Sequence, residues 1–164
     1  MRLYGVVGWK NAGKTGLMER LVTEITGRGL AVSTIKHAHH GFDVDQPGKD
    51  SHRHRIAGAQ EVLVAGGLRW ALMHELRDAN EPPLDVLLSK LAPCDLVLVE
   101  GFKRAPHPKI EAYRAAAGHD LLAPGDPTIR AVASDVALTV TGRPVFDLND
   151  TGAILRFIRA EVGL

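Results

Sequence analysis

Gly8-Trp9-Lys10-Asn11-Ala12-Gly13-Lys14-Thr15, followed by Gly16, fits the pattern G-x-x-x-x-G-K-[ST] of a phosphate-binding loop. Glycines let the backbone run close to phosphate oxygens, so successive N–H groups and the positive end of a following helix can face the anion. Lys14 would reach the β and γ phosphates. The Thr15 hydroxyl would be a magnesium ligand, because that ion takes a few protein oxygens beside phosphate oxygens and water. Residues Gly8 to Gly16 are therefore the predicted nucleotide-binding residues. Such a loop works with a carboxylate at the end of a neighbouring apolar strand, which holds the metal directly or through water. Glu100 has that position after Leu96-Val97-Leu98-Val99 and before Gly101, although Asp is commoner there. Lys14 and Glu100 are the predicted catalytic pair, and Thr15 and Glu100 the predicted metal residues.

Five of the eight histidines, His37, His39, His40, His52 and His54, fall within one short segment. Neutral imidazoles at such density could converge on zinc or nickel. The fixed spacings of a closed tetrahedral site are missing, Cys pairs are absent and Cys94 is remote, so no dedicated metal site is expected. The same region carries Lys49, Arg53 and Arg55, and a later loop carries Lys103, Arg104 and Lys109. Two cationic patches of this kind could seat an anionic substrate or an acidic partner, since arginine forks pair with phosphates; solvated surface is the alternative. Asp43, Asp45 and Asp50 could position magnesium or water, or serve as caps and turns. The expected substrate or partner contacts are His37, Asp43, Asp50, Arg53, Arg55, Lys103, Arg104 and Lys109.

The elements that must position these groups can be read from periodicity. Leu3 to Val7 is a short apolar strand running into Gly8, and Leu17, Leu21, Val22 and Ile25 recur at helical spacing from Lys14 to Arg28. Gly27 and Gly29 close that helix, and Leu30 to Ile35 supplies a second strand, completing a right-handed βαβ unit with a parallel sheet. A loop over His37 to Lys49 leads to a short helix over Asp50 to Ala57, capped by Asp50, then paired strands near Glu61–Val64 and Trp70–His74. A helix is expected from Pro82 to Leu91, with Leu84, Leu87, Leu88 and Leu91 on one face. Asp95 to Val99 is a continuous apolar run, the pattern of a central parallel strand. Beyond it come an edge strand at Ile110–Tyr113, strands at Ile129–Ala133, Ala137–Val140 and Val145–Phe146, and a helix over Thr151–Val162 capped by Asp150.

Composition narrows the function. Lys and Arg number 20 against 19 Asp and Glu, a formal net charge of +1, so no general attraction to nucleic acid or to an anionic membrane is expected. At 5% aromatic the chain also lacks the stacked rings that single-stranded nucleic acids use. The lone Cys94 fits a buried thiol in a reducing compartment, and no leader or apolar span is apparent, so the cytoplasm is the default.

Several blocks together are more specific than the loop alone: Ile35-Lys36-His37-Ala38-His39-His40, Gly48-Lys49-Asp50-Ser51 with Arg53-His54-Arg55 and Ala57-Gly58-Ala59, and Val99-Glu100-Gly101-Phe102-Lys103 with Pro108-Lys109-Ile110-Glu111. With them the chain resembles the MobB proteins, GTP-binding adaptors of molybdopterin-guanine dinucleotide biosynthesis. The resemblance runs from residue 1 to about 114 and is loose beyond. It implies an α/β fold, a P-loop NTPase-like three-layer sandwich with a mostly parallel central sheet; the chain's length and the lack of an interdomain linker point to a single domain over residues 1–164. It also implies GTP with Mg2+, weak GTP hydrolysis, and a homodimer. The implied partner is the molybdenum cofactor guanylyltransferase, which joins GMP to molybdopterin, with molybdopterin as a further ligand. By position, Gly8 to Thr15 would hold phosphates, Glu100 would serve the metal region, and His37 to Arg55 would lie beside the nucleotide. Guanine preference rests on the resemblance, since the guanine-reading [NT]-K-x-D motif is absent. Trp9-Lys10-Asn11-Ala12 departs from the small or hydroxyl residues usual in phosphate loops. Two other functions compete: a small-molecule kinase using the same loop, and a metallochaperone GTPase that inserts nickel.

Overall fold

In chain order the elements are β1 (Arg2–Val7), α1 (Lys14–Gly27), β2 (Val32–Lys36), α2 (Asp50–Ile56), β3 (Glu61–Ala65), β4 (Trp70–His74), α3 (Leu84–Leu88), β5 (Leu96–Glu100), β6 (Lys109–Tyr113), β7 (Ile129–Ser134), β8 (Val145–Asp147) and α4 (Thr151–Val162), with 3-10 turns at Ala115–Ala117 and Ala123–Gly125. This computed structural model describes residues 1–38 and 41–164. The chain divides into two compact units, Met1–His37 with Leu84–Leu164, and Ala38–Pro83.

The first unit is a mixed α/β fold around a six-stranded sheet in the order β2-β5-β1-β6-β7-β8, every neighbouring pair parallel. A parallel strand buried on both faces needs a continuous apolar run, and β5 is buried from Leu96 through Glu100. Alternation along the strands separates two cores. On one face Tyr4, Val6, Leu98, Ile110 and Ala131 pack with Leu17, Leu21 and Ile25 of α1 and Ile154, Leu155 and Ile158 of α4. On the other, Val7, Ile129 and Val132 pack with Ala123 and Val140 from the connecting loops. Ile129 and Ala131 would share a face in a regular strand. A register shift opposite Lys109 and Ile110 turns them to different cores.

Several expectations are corrected here. Ile110–Tyr113 is no edge: β6 lies between β1 and β7, and its charged residues, which gave it an edge-like pattern, are buried and satisfied locally. Ala137–Val140 forms no strand. Ser134 Oγ accepts from Val136 N and donates to Val136 O, which turns the chain out of β7, and Val140 makes only an isolated bridge to Arg143. The helix expected over Pro82–Leu91 is regular only at Leu84–Leu88, after which Lys90 and Leu91 donate to carbonyls three residues back. Cys94 is half-buried and free. Asp150 does cap α4, accepting from Ala153 N at 2.9 Å.

The second unit contains α2 and the antiparallel hairpin β3–β4, paired from Glu61↔His74 to Ala65↔Trp70. Asp50 is the first residue of α2 and not its cap; Lys49 stands at the cap with no side-chain bond. Leu63, Val64, Trp70 and Leu72 of the hairpin are exposed in the single chain.

Candidate functional site

Both termini of the phosphate loop are set by backbone geometry. At the end of β1 the chain turns at Gly8, where a Cβ would stand 2.4 Å from the Ala112 carbonyl oxygen, so any larger residue would push the loop off β6. Gly13, at φ 92, is the N-cap of α1, without a side-chain cap and with no acidic residue in the first turn. The helix therefore keeps its positive end and its first N–H groups for an external anion. Lys14 Nζ lies across the loop and donates to the Trp9 carbonyl at 2.6 Å. Around this turn is a cleft of about 490 Å³ lined by Asn11, Gly13, Lys14, Thr15, Gly16 and Arg114.

A second cleft, also about 490 Å³, runs from Thr15 along α1 to the end of β2 and reaches Thr34, Lys36 and Glu100. Lys36 and Glu100 are register partners at the carboxyl ends of adjacent parallel strands, where ligands of such sheets bind. Their charged groups are 3.5 Å apart, with the Glu100 side chain only 12% exposed. The structure thus brings Thr15 and Glu100 onto one cleft and Lys14 into their field. Burial, helped by the Lys103 and Lys36 charges and opposed by Glu100, holds the Lys14 ammonium below the ordinary lysine range. This excess of cations over carboxylates suits a polyanion.

Trp9, unusual in such a loop, acts as a tether. Its Nε1 donates to the Asp120 carbonyl at 2.9 Å, its ring lies 5.2 Å from that of His119, and Lys103 Nζ sits 4.0 Å from the ring centroid.

The basic loop that the sequence presents as one patch is divided three ways. Lys103 turns toward Trp9, and Arg104 is exposed. Lys109 is fully buried, its Nζ donating to Ala105 O at 2.6 Å and to Thr128 Oγ1, with Asp126 Oδ2 at 3.6 Å. Lys109 is therefore corrected from a partner contact to an interior group. In the second unit Arg55 is likewise spent internally, on Asp43 at 2.7 Å, Asp45 at 2.8 Å and Glu75 at 2.7 Å. These carboxylates raise its pKa further, and Asp43 is held below the usual carboxylate range by the Asp45 N–H and by Arg55. Arg55 and Asp43 thus hold the 43–55 segment together, which displaces the anion-contact and magnesium readings for them. Asp50 and Arg53 are exposed on α2.

His37 follows β2, donates its backbone N–H to the Glu100 backbone carbonyl at 2.9 Å and packs its ring 4.8 Å from that of Phe102. His39 and His40 lie outside the described residues. Among the described residues no three His, Cys, Asp or Glu are placed to hold a metal ion. Two residues lining the clefts, Arg114 and Lys36, were not among the predicted site residues. Their signal was position, since Lys36 ends β2 and Arg114 directly follows β6 at the carboxyl edge of the sheet.

The sequence matches the family described as molybdopterin guanine dinucleotide synthesis protein B, MobB, over residues 3–135. Among its relatives is the molybdopterin-guanine dinucleotide biosynthesis adapter protein of Escherichia coli (strain K12), 41% identical over 161 residues, covering 95% of this chain and 90% of the relative. The adapter protein of the same description from Haemophilus influenzae is 40% identical over 162 residues, covering 95% and 86%. Similar solved structures include a MobB homologue from Bacillus stearothermophilus, at 31% identity and TM-score 0.72 over 99% of both chains. Bacillus subtilis MobB aligns at 25% identity and TM-score 0.76, over 99% of this chain and 98% of that one.

Proposed function

The chain belongs to the MobB family, and from that premise we propose that it is a GTP-binding adaptor with weak GTPase activity, assisting the guanylyltransferase that attaches GMP to molybdopterin. An adaptor role in molybdopterin-guanine dinucleotide biosynthesis is what the 40–41% identical relatives support. The observation that carries the nucleotide part is the Gly8–Thr15 turn: a loop closed onto β6 at Gly8, opened into the helix at Gly13, with Lys14 laid across it.

The residues present fit a magnesium–nucleotide complex. The Thr15 hydroxyl and the Glu100 carboxylate line one cleft, and the carboxylate's one described ion pair, with Lys36, is at 3.5 Å and not a close contact. Thr15 and Glu100 would hold Mg2+, which when bound neutralises charge on the β and γ phosphates. Lys14 binds the terminal phosphates, and the first-turn N–H groups of α1 orient the rest. With Glu100 assigned to the metal, these groups position phosphate more than they activate water. Unassisted water is slow, since general-base help is worth about 100-fold or more.

The exposed apolar residues of β3–β4 support a homodimer, and exposed Arg104 and Arg53 are the cations left for molybdopterin phosphate or the guanylyltransferase. A cytoplasmic setting accords with the reading; no helix among the described residues is long and apolar enough to cross a membrane. The test is calorimetric titration of the protein with GTP and with ATP, each with and without magnesium. Saturable, magnesium-strengthened GTP binding with weaker ATP binding is expected; absence of nucleotide binding would overturn the reading.

A further inference from the structure

Arg114 directly follows β6, the strand packed beside β1, and so stands at the carboxyl edge of the sheet next to the phosphate loop. Its departure from the strand is fixed: Ala115 N donates to Asp135 Oδ1 at 2.9 Å, and Ala117 N donates to the Arg114 carbonyl at 3.0 Å. The guanidinium lies against the loop itself. A Cβ on Gly13 would be 3.0 Å from both Arg114 Nε and Leu148 Cδ2 and 3.4 Å from Arg114 Cζ, so the exposed guanidinium borders the N-cap beside the first-turn N–H donors. Among the described residues its side chain makes no hydrogen bond and no ion pair. Arg20, whose Nη1 would meet a Cβ on the neighbouring Gly16 at 3.4 Å, contrasts with it. Arg20 is consumed, donating from Nε to Thr151 Oγ1 and from Nη2 to the Leu148 carbonyl.

From this geometry we infer that Arg114 is a phosphate-binding residue of the loop, gripping the bound nucleotide on the flank away from Glu100. The two clefts divide the loop: Arg114 shares one with Asn11, Gly13 and Gly16, and Glu100 shares the other with Lys36, Thr15 belonging to both. On the nucleotide-binding reading, the Glu100 side is where Thr15 and Glu100 would hold the metal against the terminal phosphates. Arg114 therefore addresses phosphate oxygens nearer the nucleoside, which GDP and GTP both possess. A guanidinium suits that position because it presents several donors in one plane.

The inference rests on the nucleotide-binding reading, and one titration series separates the two. GTP and GDP are titrated into the wild-type chain, Arg114→Ala and Arg114→Lys, with magnesium and with EDTA, and each variant's thermal unfolding is recorded. Arg114→Ala is expected to lose about 10- to 100-fold in affinity for both nucleotides, with or without magnesium, at unchanged melting temperature, and Arg114→Lys to recover part of it. Equal affinity in the wild-type chain and Arg114→Ala would overturn the inference and leave the phosphate loop standing. Loss confined to GTP, or to the magnesium arm, would overturn it too, by moving Arg114 to the terminal phosphate. Failure of the wild-type chain to bind either nucleotide would instead defeat the reading beneath it.

Discussion

Lys14 concentrates the chemistry of the loop in one group. Its ammonium makes a charge-assisted bond to Trp9 and contributes no side chain to the described core clusters, so Lys14→Ala should weaken GTP binding by about 100-fold or more with the circular dichroism spectrum unchanged. Its lowered pKa has a measurable sign. Between the folded value and the ordinary lysine value the folded chain carries fewer protons than the unfolded one, and an incoming phosphate draws the proton back. GTP binding should therefore take up protons in the alkaline range just below the ordinary lysine value, which calorimetry in buffers of different ionisation enthalpy will register; heats there that do not vary with the buffer would contradict it. His107 behaves in the opposite compartment. It is 7% exposed, packs where a Gly5 side chain would stand, and has no described partner at either ring nitrogen. Burial, with the Lys109 charge, depresses its pKa to about 4. An unfolded imidazole charges near pH 6.5, so between that value and about 4 the unfolded chain binds more protons and stability falls as pH drops. His107→Leu should remove up to about 3 kcal/mol of that acid-side loss in urea titrations, and parallel pH profiles would refute the assignment.

At the scale of elements, β6 does more than fill the sheet. Glu111, fully buried, accepts from Leu122 N and Ala123 N, each at 2.8 Å, and so fixes the loop whose His119 and Asp120 hold Trp9. Glu111→Gln leaves one of those N–H groups without an acceptor, which costs about 1–3 kcal/mol. We expect a lower melting temperature together with red-shifted tryptophan emission as the Trp9 tether loosens. Unshifted emission in a destabilised variant would detach this loop from the site. These elements were unequally legible in sequence. The strand, loop and helix from Arg2 to Gly27 could be read directly, because apolar periodicity and glycine placement agree there. β6 could be read as a strand but not as an interior one, since Lys109 and Glu111 look like solvent-facing charges until Asp126 and the 122–123 turn are seen to satisfy them. The basic loop failed similarly, because sequence shows three cations close together and not that one is buried and one faces a tryptophan ring. Glu100 was legible from the strand it ends; Arg114 follows a strand whose charges give it the look of an edge.

For the whole molecule, near-neutral charge leaves recognition to local groups, and the structure reduces these to few. Arg104→Glu should diminish capture of the guanylyltransferase with GTP affinity unchanged, whereas Lys103→Glu, beside Trp9 and in the field of Lys14, should weaken GTP itself. Loss of GTP affinity in the Arg104 variant would move that residue into the nucleotide site. The central claim is that GTP held at Gly8–Thr15 serves a partner's reaction and not this chain's own turnover. The direct measurement is the yield of guanine dinucleotide cofactor in a reconstituted guanylyltransferase reaction, with the wild-type chain, with Lys14→Ala, or with neither added, while GTP hydrolysis by the chain alone is followed in parallel. We expect the wild-type chain to raise the yield, Lys14→Ala to leave it at the level without addition, and isolated hydrolysis to stay far below ~1 per second. Equal stimulation by Lys14→Ala, or hydrolysis by the chain alone at that rate or faster, would contradict the claim.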